Sequence, residues 1–282
     1  MQSSRLTLIL LLSLGSPLAF AAGDTTQQNE QWQYRIWDSA MGAWDEATDG
    51  KNWLLTLSAG AIAGPAYSGS KKTEFGPLGD LTVSHRSGVF LSSSQGIGYR
   101  YGNDDWYLNG SIGMSAGRKE KDGKDGNRNP LQGMGDIDGG AQFVFGGGYQ
   151  IEKLSLSAVW QTGLAERNRG NTLNLAASYP LYDSEQASVS MNGSVLFADS
   201  RYQQRWYGVS SSQAARSGHH SYEAGAGLSE ASAGLSLSVP ILQNLSWVSS
   251  VQYTQLLGSA ADSPLTERKG YVSGGTGFQF VW

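Results

Sequence analysis

The sequence predicts an all-β protein, a transmembrane antiparallel β-barrel of about twelve strands, with ten as the alternative count. Three observations predict it: strictly alternating segments, an apolar face free of charge, and connections that alternate between short and long. The clearest segment is the last, Gly270 to Trp282. Counting back by twos gives Trp282, Phe280, Phe278, Thr276, Gly274 and Val272, while the residues between are small or polar apart from Val281 and Tyr271. Side chains alternate across a strand, so this one has an oily face and a small or polar face. In water such an edge invites aggregation. A membrane barrel instead pairs the edge with the first strand and turns the oily face to lipid.

The N-terminus reads as a targeting segment, residues 1–21. Arg5 supplies the positive region, Leu6 to Leu14 the apolar stretch, and Ala19-Phe20-Ala21 a small-x-small cleavage site, so cleavage is expected after Ala21. Residues 22–51 are polar and read as a periplasmic lead-in, within which Gln31 to Ile36 is a candidate short strand. The barrel is expected over 52–282.

Composition agrees with that division. Gly is 38 of 282, Trp 9 and Tyr 13, yet mean hydropathy is only -0.32. After the leader, no run approaches the roughly 18 apolar residues of a spanning helix. Only alternate residues of a barrel meet lipid, which reconciles many aromatics with low hydropathy. Cysteine is absent, excluding disulfides, a lipidated cysteine and cysteine metal sites. A net charge of -4 argues against a nucleic-acid partner.

In chain order, Trp53 to Gly64 alternates first, and a Gly-Pro and Gly-Ser-Lys-Lys loop follows it to Lys72. Leu78 to His85 and Val89 to Tyr101 are weaker segments. From Trp106 the alternation is strong: Trp106, Leu108, Ile112 and Met114 oppose Tyr107, Asn109, Ser111 and Ser115. Further segments begin near Ile137, Leu154, Leu173, Ala187, Ala231, Leu245 and Gly270. From Trp106 onward no Asp, Glu, Lys or Arg lies on an apolar face between its ends. An Arg or Lys there would cost about 2–4 kcal/mol near the midplane. A soluble sandwich would dot its outward face with Lys and Glu, whereas the second face here is Ser, Gly, Asn, Gln and Thr.

Connections such as Glu152-Lys153 and Pro240 to Asn244 are short, and those at Arg118–Gly135, Glu166–Gly170, Asp199–Tyr222 and Ser259–Lys269 are longer and charged. Short turns face the periplasm and long loops the exterior. The segments number eleven, however, and a bacterial single-chain barrel takes an even number. Either the lead-in supplies one or an N-terminal segment is broken.

Few residues could carry chemistry. The histidines are His85, His219 and His220. The last two share a loop with Asp199 and several serines, so an outer-rim hydrolase is the weakest of three readings. No ligand set for a metal is spaced along the chain, and no catalytic residue or cofactor is assigned. Asp136 and Asp138 are expected to begin a strand on the lumen side near the rim, paired with loop backbone or with Arg118 and Arg128, the alternative being a cation-attracting ring or ligand contact. Glu230 belongs to the same polar face. Arg201, Tyr202, Arg205, Trp206 and Tyr207 form a basic-aromatic cluster, suited either to glycan or lipopolysaccharide contact or to a loop folded inward as a plug. Asp262-Ser263-Pro264 reads as a turn in which Asp accepts backbone N–H groups. The Arg118–Arg128 stretch is expected to be a solvated mobile tip.

Several of these stretches recur together in one known family. Leu131-Gln-Gly-Met-Gly-Asp-Ile-Asp138, Ala198-Asp-Ser-Arg-Tyr202, Trp206-Tyr-Gly-Val-Ser210, Ala215-Arg-Ser-Gly218, Tyr222 and Ala261-Asp-Ser-Pro264 agree in order and spacing with the MipA/OmpV outer-membrane proteins. The chain resembles that family from Trp53 to the end, departing in its long lead-in and in ending on Trp282 where Phe is usual. The resemblance implies a Gram-negative outer-membrane barrel without enzymatic chemistry. It further implies a scaffold in cell-envelope assembly that brings together a murein synthase and a lytic transglycosylase. A small-solute channel is the alternative. The aromatic final strand, with Phe278, Phe280 and Trp282, resembles the signal read by the barrel assembly machinery, and outer-membrane lipid and lipopolysaccharide are the remaining expected partners.

Overall fold

The computed structural model describes residues 52–103, 105–164 and 170–282. The expected leader, the lead-in with Gln31–Ile36, and the Glu166–Gly170 loop except Gly170 lie outside the described residues.

Twelve antiparallel strands close into one barrel in which sequence neighbours are spatial neighbours and the first strand meets the last. They are β1 (Trp53–Pro65), β2 (Thr73–His85), β3 (Val89–Ser92), β4 (Gly96–Gly102), β5 (Trp106–Ser115), β6 (Gly140–Ile151), β7 (Leu154–Gly163), β8 (Asn171–Asp183), β9 (Ser188–Ala198), β10 (Gly227–Leu242), β11 (Leu245–Leu256) and β12 (Gly270–Val281).

The odd count of sequence segments has a local cause: Val89–Tyr101 is two strands, not one. The chain reverses at Ser93–Gln95, where the Ser92 hydroxyl oxygen accepts the backbone N–H groups of Ser94 and Gln95. Gly96 completes the reversal at φ 80°, a left-handed value that favours glycine. The β2 strand also starts five residues before Leu78, at Thr73. Glu74 and Pro77 hide that half from a pattern search, and Pro is tolerated only where its missing N–H is not needed.

Closure depends on the seam between β1 and β12, which runs from Thr56 opposite Val281 to Ala63 opposite Gly274. At its lower end Leu55 and Trp282 exchange both backbone hydrogen bonds, at 2.8 and 2.9 Å. Midway, Gly60 faces Gly277. A Cβ on Gly60 would stand 2.2 Å from the Thr276 carbonyl oxygen, so the seam requires a residue without a side chain there. Across this bare patch Leu78 of β2 and Val248 of β11 meet inside the barrel, both buried.

Outside, alternate residues are apolar and exposed, among them Leu108, Ile112, Phe145, Leu175, Val251 and Phe278. Trp53, Tyr101, Tyr149 and Trp282 are exposed toward the short-turn end, where amphipathic rings suit a membrane interface. Inside, the wall is mixed. Tyr107, Val144 and Val159 form an apolar cluster, and the Arg100 guanidinium stands 5.1 Å from the Tyr107 ring. Asn109, Ser111 and Ser236 are buried with side-chain polar atoms that no described residue bonds. Buried polar groups find partners, so water is expected to reach this part of the lumen.

Candidate functional site

The long connections are folded, and together they cover the barrel mouth. The β9–β10 loop forms helices α1 (Ser200–Tyr207) and α2 (Ser211–Ser217), and the β11–β12 loop forms α3 (Gly258–Ala261). Local sequence dictates the first two. Asp199 caps α1, its Oδ1 accepting the Tyr202 N–H at 2.8 Å while Oδ2 accepts from Asn171. Ser210 and Gln213 form a reciprocal capping box on α2, and Gly218 ends that helix at φ 81°.

Two apolar clusters hold these loops together. Ala66 and Tyr67 of the β1–β2 loop, Leu131 and Met134 of the β5–β6 loop, Val209 and Leu265 pack as one buried group. Tyr207, Ala224, Leu256, Ala260, Ala261 and Tyr271 form the second, with Tyr222 against both. Leu131 and Leu256 are 0% exposed, which for residues at the mouth of a barrel means a true core rather than a loose lid.

Polar groups thread the same region. Glu230, just inside the mouth on β10, accepts hydrogen bonds from Ser68 and Tyr207, each at 3.2 Å. Ser263 donates to the Tyr207 carbonyl at 2.6 Å and accepts the Leu265 N–H. Arg118 is buried, donates to the Trp206 carbonyl at 2.6 Å and lies 5.8 Å from the Trp206 ring. Burial pulls its guanidinium down to about 10, against the pull of the neighbouring Tyr207 and Tyr67 hydroxyls, so it is still a cation at neutral pH. Burial likewise pushes the Tyr67 hydroxyl up to about 12, partly offset by Arg118 and Arg128. Tyr67 therefore donates, to the Leu265 carbonyl at 3.1 Å. An ion pair between Arg128 and Glu267 ties two loops at the surface.

The structure places the sequence-predicted residues unevenly. Asp136 and Asp138 do not begin a strand: β6 starts at Gly140, and both carboxylates are exposed in the preceding loop. Isolated pairing of Arg118 with Ile137 ends the ladder there, so the two aspartates point off the rim. Their basic neighbour is Lys119, at 3.4 Å from each, while Arg118 is taken into the cap. The Glu120 N–H holds the Asp136 carboxyl below its usual range, helped by Lys119. The Arg118–Arg128 stretch is likewise more ordered than a solvated tip, with a 3₁₀ turn at Glu120–Gly123 and a bridge between Asp125 and Arg128.

The basic-aromatic cluster is helix α1, with Tyr202 and Tyr207 buried beneath it and Arg201 exposed above. This is the inward-folded alternative. A cavity remains between α1 and the outer ends of β5 to β8, lined by Ser115, Gln142, Gln161, Thr172, Arg205 and Trp206. In the Asp262-Ser263-Pro264 turn it is Ser263 that accepts a backbone N–H, whereas Asp262 accepts from the Lys269 ammonium. Phe278 and Trp282 face outward, with Phe280 on the same side of β12.

Asp199 is engaged at the α1 cap, and His219 bonds the Pro130 carbonyl at 2.8 Å. His85 meets Ser87 in a short turn at the other end of the barrel. Among the described residues, no group of three His, Cys, Asp or Glu side chains could hold a metal ion. The residues that sequence reading missed are the cap's apolar ones, Tyr67, Leu131, Val209 and Leu265. Their signal was present as single apolar residues inside otherwise polar loops.

A closed twelve-strand barrel with an apolar, aromatic-bearing outside and a mixed interior is an integral outer-membrane β-barrel. Its loops cover one end and its tight turns lie at the other. The chain belongs to the family described as MltA-interacting protein MipA, which matches residues 57–282. Among solved structures it is similar to the NanC porin, at 9% identity and TM-score 0.43, covering 80% of this chain and 98% of that one. It is similar to the translocator domain of the autotransporter NalP from Neisseria meningitidis, at 12% identity and TM-score 0.41, covering 94% and 99%. A third, the KdgM porin, has 10% identity and TM-score 0.38, with 80% and 98% covered. These likenesses are of barrel to barrel and extend no further. No curated protein matches the chain in sequence.

Proposed function

We propose that this protein is a non-enzymatic scaffold of the outer membrane, a barrel whose outer mouth is covered and whose periplasmic turns receive partners. The observation that supports it is the cap core of Tyr67, Leu131, Val209 and Leu265, which packs four loops together over the lumen. A pore gains nothing from a buried apolar core across its mouth. The partners proposed are those that the family resemblance implies, a lytic transglycosylase and a murein synthase beside it. Insertion is proposed to follow removal of the leader near Ala21, through the barrel assembly machinery.

A second reading, a small-solute channel, is favoured by the cavity that Gln142, Gln161 and Thr172 help line and by the hydrophilic lumen residues Asn109 and Ser111. Planar-bilayer recording separates the two. The scaffold reading expects no stable ohmic openings from the intact protein; regular openings would replace it with the channel. Capture of murein enzymes by the folded barrel, lost when residues of the short turns are exchanged, is the positive arm.

A further inference from the structure

At the short-turn end the barrel's rim has a step. The β2–β3 connection is a tight turn in which the Gly88 N–H bonds the His85 carbonyl at 2.8 Å. Strand β4 meets that turn at Arg100, whose N–H bonds the Gly88 carbonyl at 2.9 Å, and then runs on to Gly102 against β5. Below the turn, between it and the β4–β5 connection, lies a cavity of about 210 Å³. Arg86, Ser87, Arg100, Tyr101, Gly102 and Asn103 are among the residues that line it.

The lining carries charge of one sign. Two guanidiniums reach it, from Arg86 in the exposed turn and from Arg100, which is buried against the Phe90 and Tyr107 rings at 5.9 and 5.1 Å. Both also keep contacts within the fold, but a guanidinium has five N–H donors and can share them between two partners. Neutral donors stand beside them. The Asn103 Oδ1 accepts the Asp105 and Trp106 N–H groups at 3.0 Å each, so its NH2 group is what it presents to other partners. By the two-residue alternation of a strand, the Gly102 N–H turns to the same side as that of Arg100. Among the described residues that line the cavity none carries a carboxylate, and Asp105 is exposed in the neighbouring turn outside it.

The occupant follows from where the cavity lies. Tyr99 and Tyr101 bring exposed, outward-facing rings to it, and Tyr101 meets the Trp106 ring edge-on at 5.8 Å. Such rings mark the membrane interface on the short-turn side. Toward the midplane the same face continues as Val89, Leu91 and Ile97, all exposed, with Val89 opposite Tyr99 and Leu91 opposite Ile97. Donors for an anion thus lie directly below an apolar strip of lipid-facing wall. A free anion would use the first and not the second. A phospholipid of the periplasmic leaflet uses both, with its phosphate in the cavity and its acyl chains along Val89, Leu91 and Ile97. The planar fork of arginine matches two phosphate oxygens. Two cations without a carboxylate favour a headgroup of net negative charge, such as phosphatidylglycerol, over zwitterionic phosphatidylethanolamine.

We propose that the cavity below the β2–β3 turn is a headgroup site for an anionic phospholipid of the periplasmic leaflet. This inference goes beyond the scaffold reading and holds equally for a channel. The test titrates the full folded chain, in detergent, with phosphatidylglycerol or phosphatidylethanolamine and counts bound lipid by native mass spectrometry. One phosphatidylglycerol is expected to bind several-fold more tightly than the next, and several-fold more tightly than phosphatidylethanolamine. Arg86→Gln should lower that first affinity several-fold. Ser87→Asp, which puts a carboxylate among the donors, should do the same, and heat-modifiable migration shows that each variant has folded. Lys153→Gln removes a cation from the β6–β7 turn at the same end and should leave the affinity unchanged. Equal binding of the two lipids, an affinity unmoved by Arg86→Gln, or equal losses in Arg86→Gln and Lys153→Gln would overturn the site. Displacement of the lipid by millimolar inorganic phosphate, but not by chloride at equal ionic strength, would assign the cavity to a free anion and overturn the lipid.

Discussion

The two halves of the barrel's outer end are built in opposite ways. On the side of β8 to β12 and β1, long strands carry loops that pack, together with the β5–β6 loop, into a core with residues 0% exposed. On the side of β3 and β4 the strands are short, and Ser93 and Asp80 help fasten the hairpin tip to β2. Both regions face the same boundary between membrane and exterior. The contrast shows that covering the mouth and completing the wall are separate tasks, met by side-chain packing in one place and by backbone pairing in the other.

The largest expected effect comes from attacking the seam that both halves share. Deleting Phe280 to Trp282 removes the Leu55–Trp282 exchange and the first rungs opposite Thr56 and Leu57. Loss of the heat-modifiable folded form is expected, and normal migration of the truncated protein would refute the role of the final strand. Next, Leu131→Ala should weaken the cap by about 2–5 kcal/mol, the usual cost of a large-to-small change in a core. Proteolysis within the β5–β6 and β9–β10 loops should then accelerate while the barrel itself stays folded. Collapse of the whole barrel would show that cap and wall are one cooperative unit.

A smaller change tests the other half. Ser93→Ala removes the bond to Asp80 and should cost about 1 kcal/mol, seen as faster amide exchange in β3 and β4 with no change at the cap. Smallest is a pH effect on the rim. Asp136 has a depressed folded-state pKa, so its contribution is present above the unfolded value and is lost as pH falls through the folded one. Asp122, raised by burial, runs the opposite way and partly masks it. Exchange of the Glu120 amide, corrected for its intrinsic pH dependence, should therefore rise only in strong acid, and in Asp136→Asn at every pH.

This contrast also explains what the sequence made legible. Membrane strands are constrained residue by residue, because each outward position must be apolar, and segments from Trp106 onward could be read with their faces assigned. The β3–β4 hairpin escaped because a turn at Ser93–Gln95 interrupts neither the polarity pattern nor the length expected of one strand. Asp136 and Asp138 continued the alternation of β6 past its regular ladder, where only the isolated Arg118–Ile137 bridge remains. The cap was the least legible part. Its core gathers Ala66, Tyr67, Leu131, Met134, Val209 and Leu265 from four loops, and no local period links residues so far apart. Helices α1 and α2 carry recognisable caps at Asp199 and Ser210, but short helices in a loop become evident only once something packs against them.

The bare seam at Gly60 and Gly277 has one more consequence, and it concerns time. Residues that face each other across it, such as Ser58 and Gln279, are 221 positions apart. No nascent or partly translocated chain can hold a closed cylinder, because the strand that completes it is the last of the twelve to be made. Contacts this remote are slow to form and leave edges unprotected while they wait. A juncture with glycine at Gly60, Gly274, Gly275 and Gly277 lets the first and last of the twelve strands come into register with little side-chain repacking at its middle. The glycines that look like a weakness in the finished wall are thus suited to the moment of its completion.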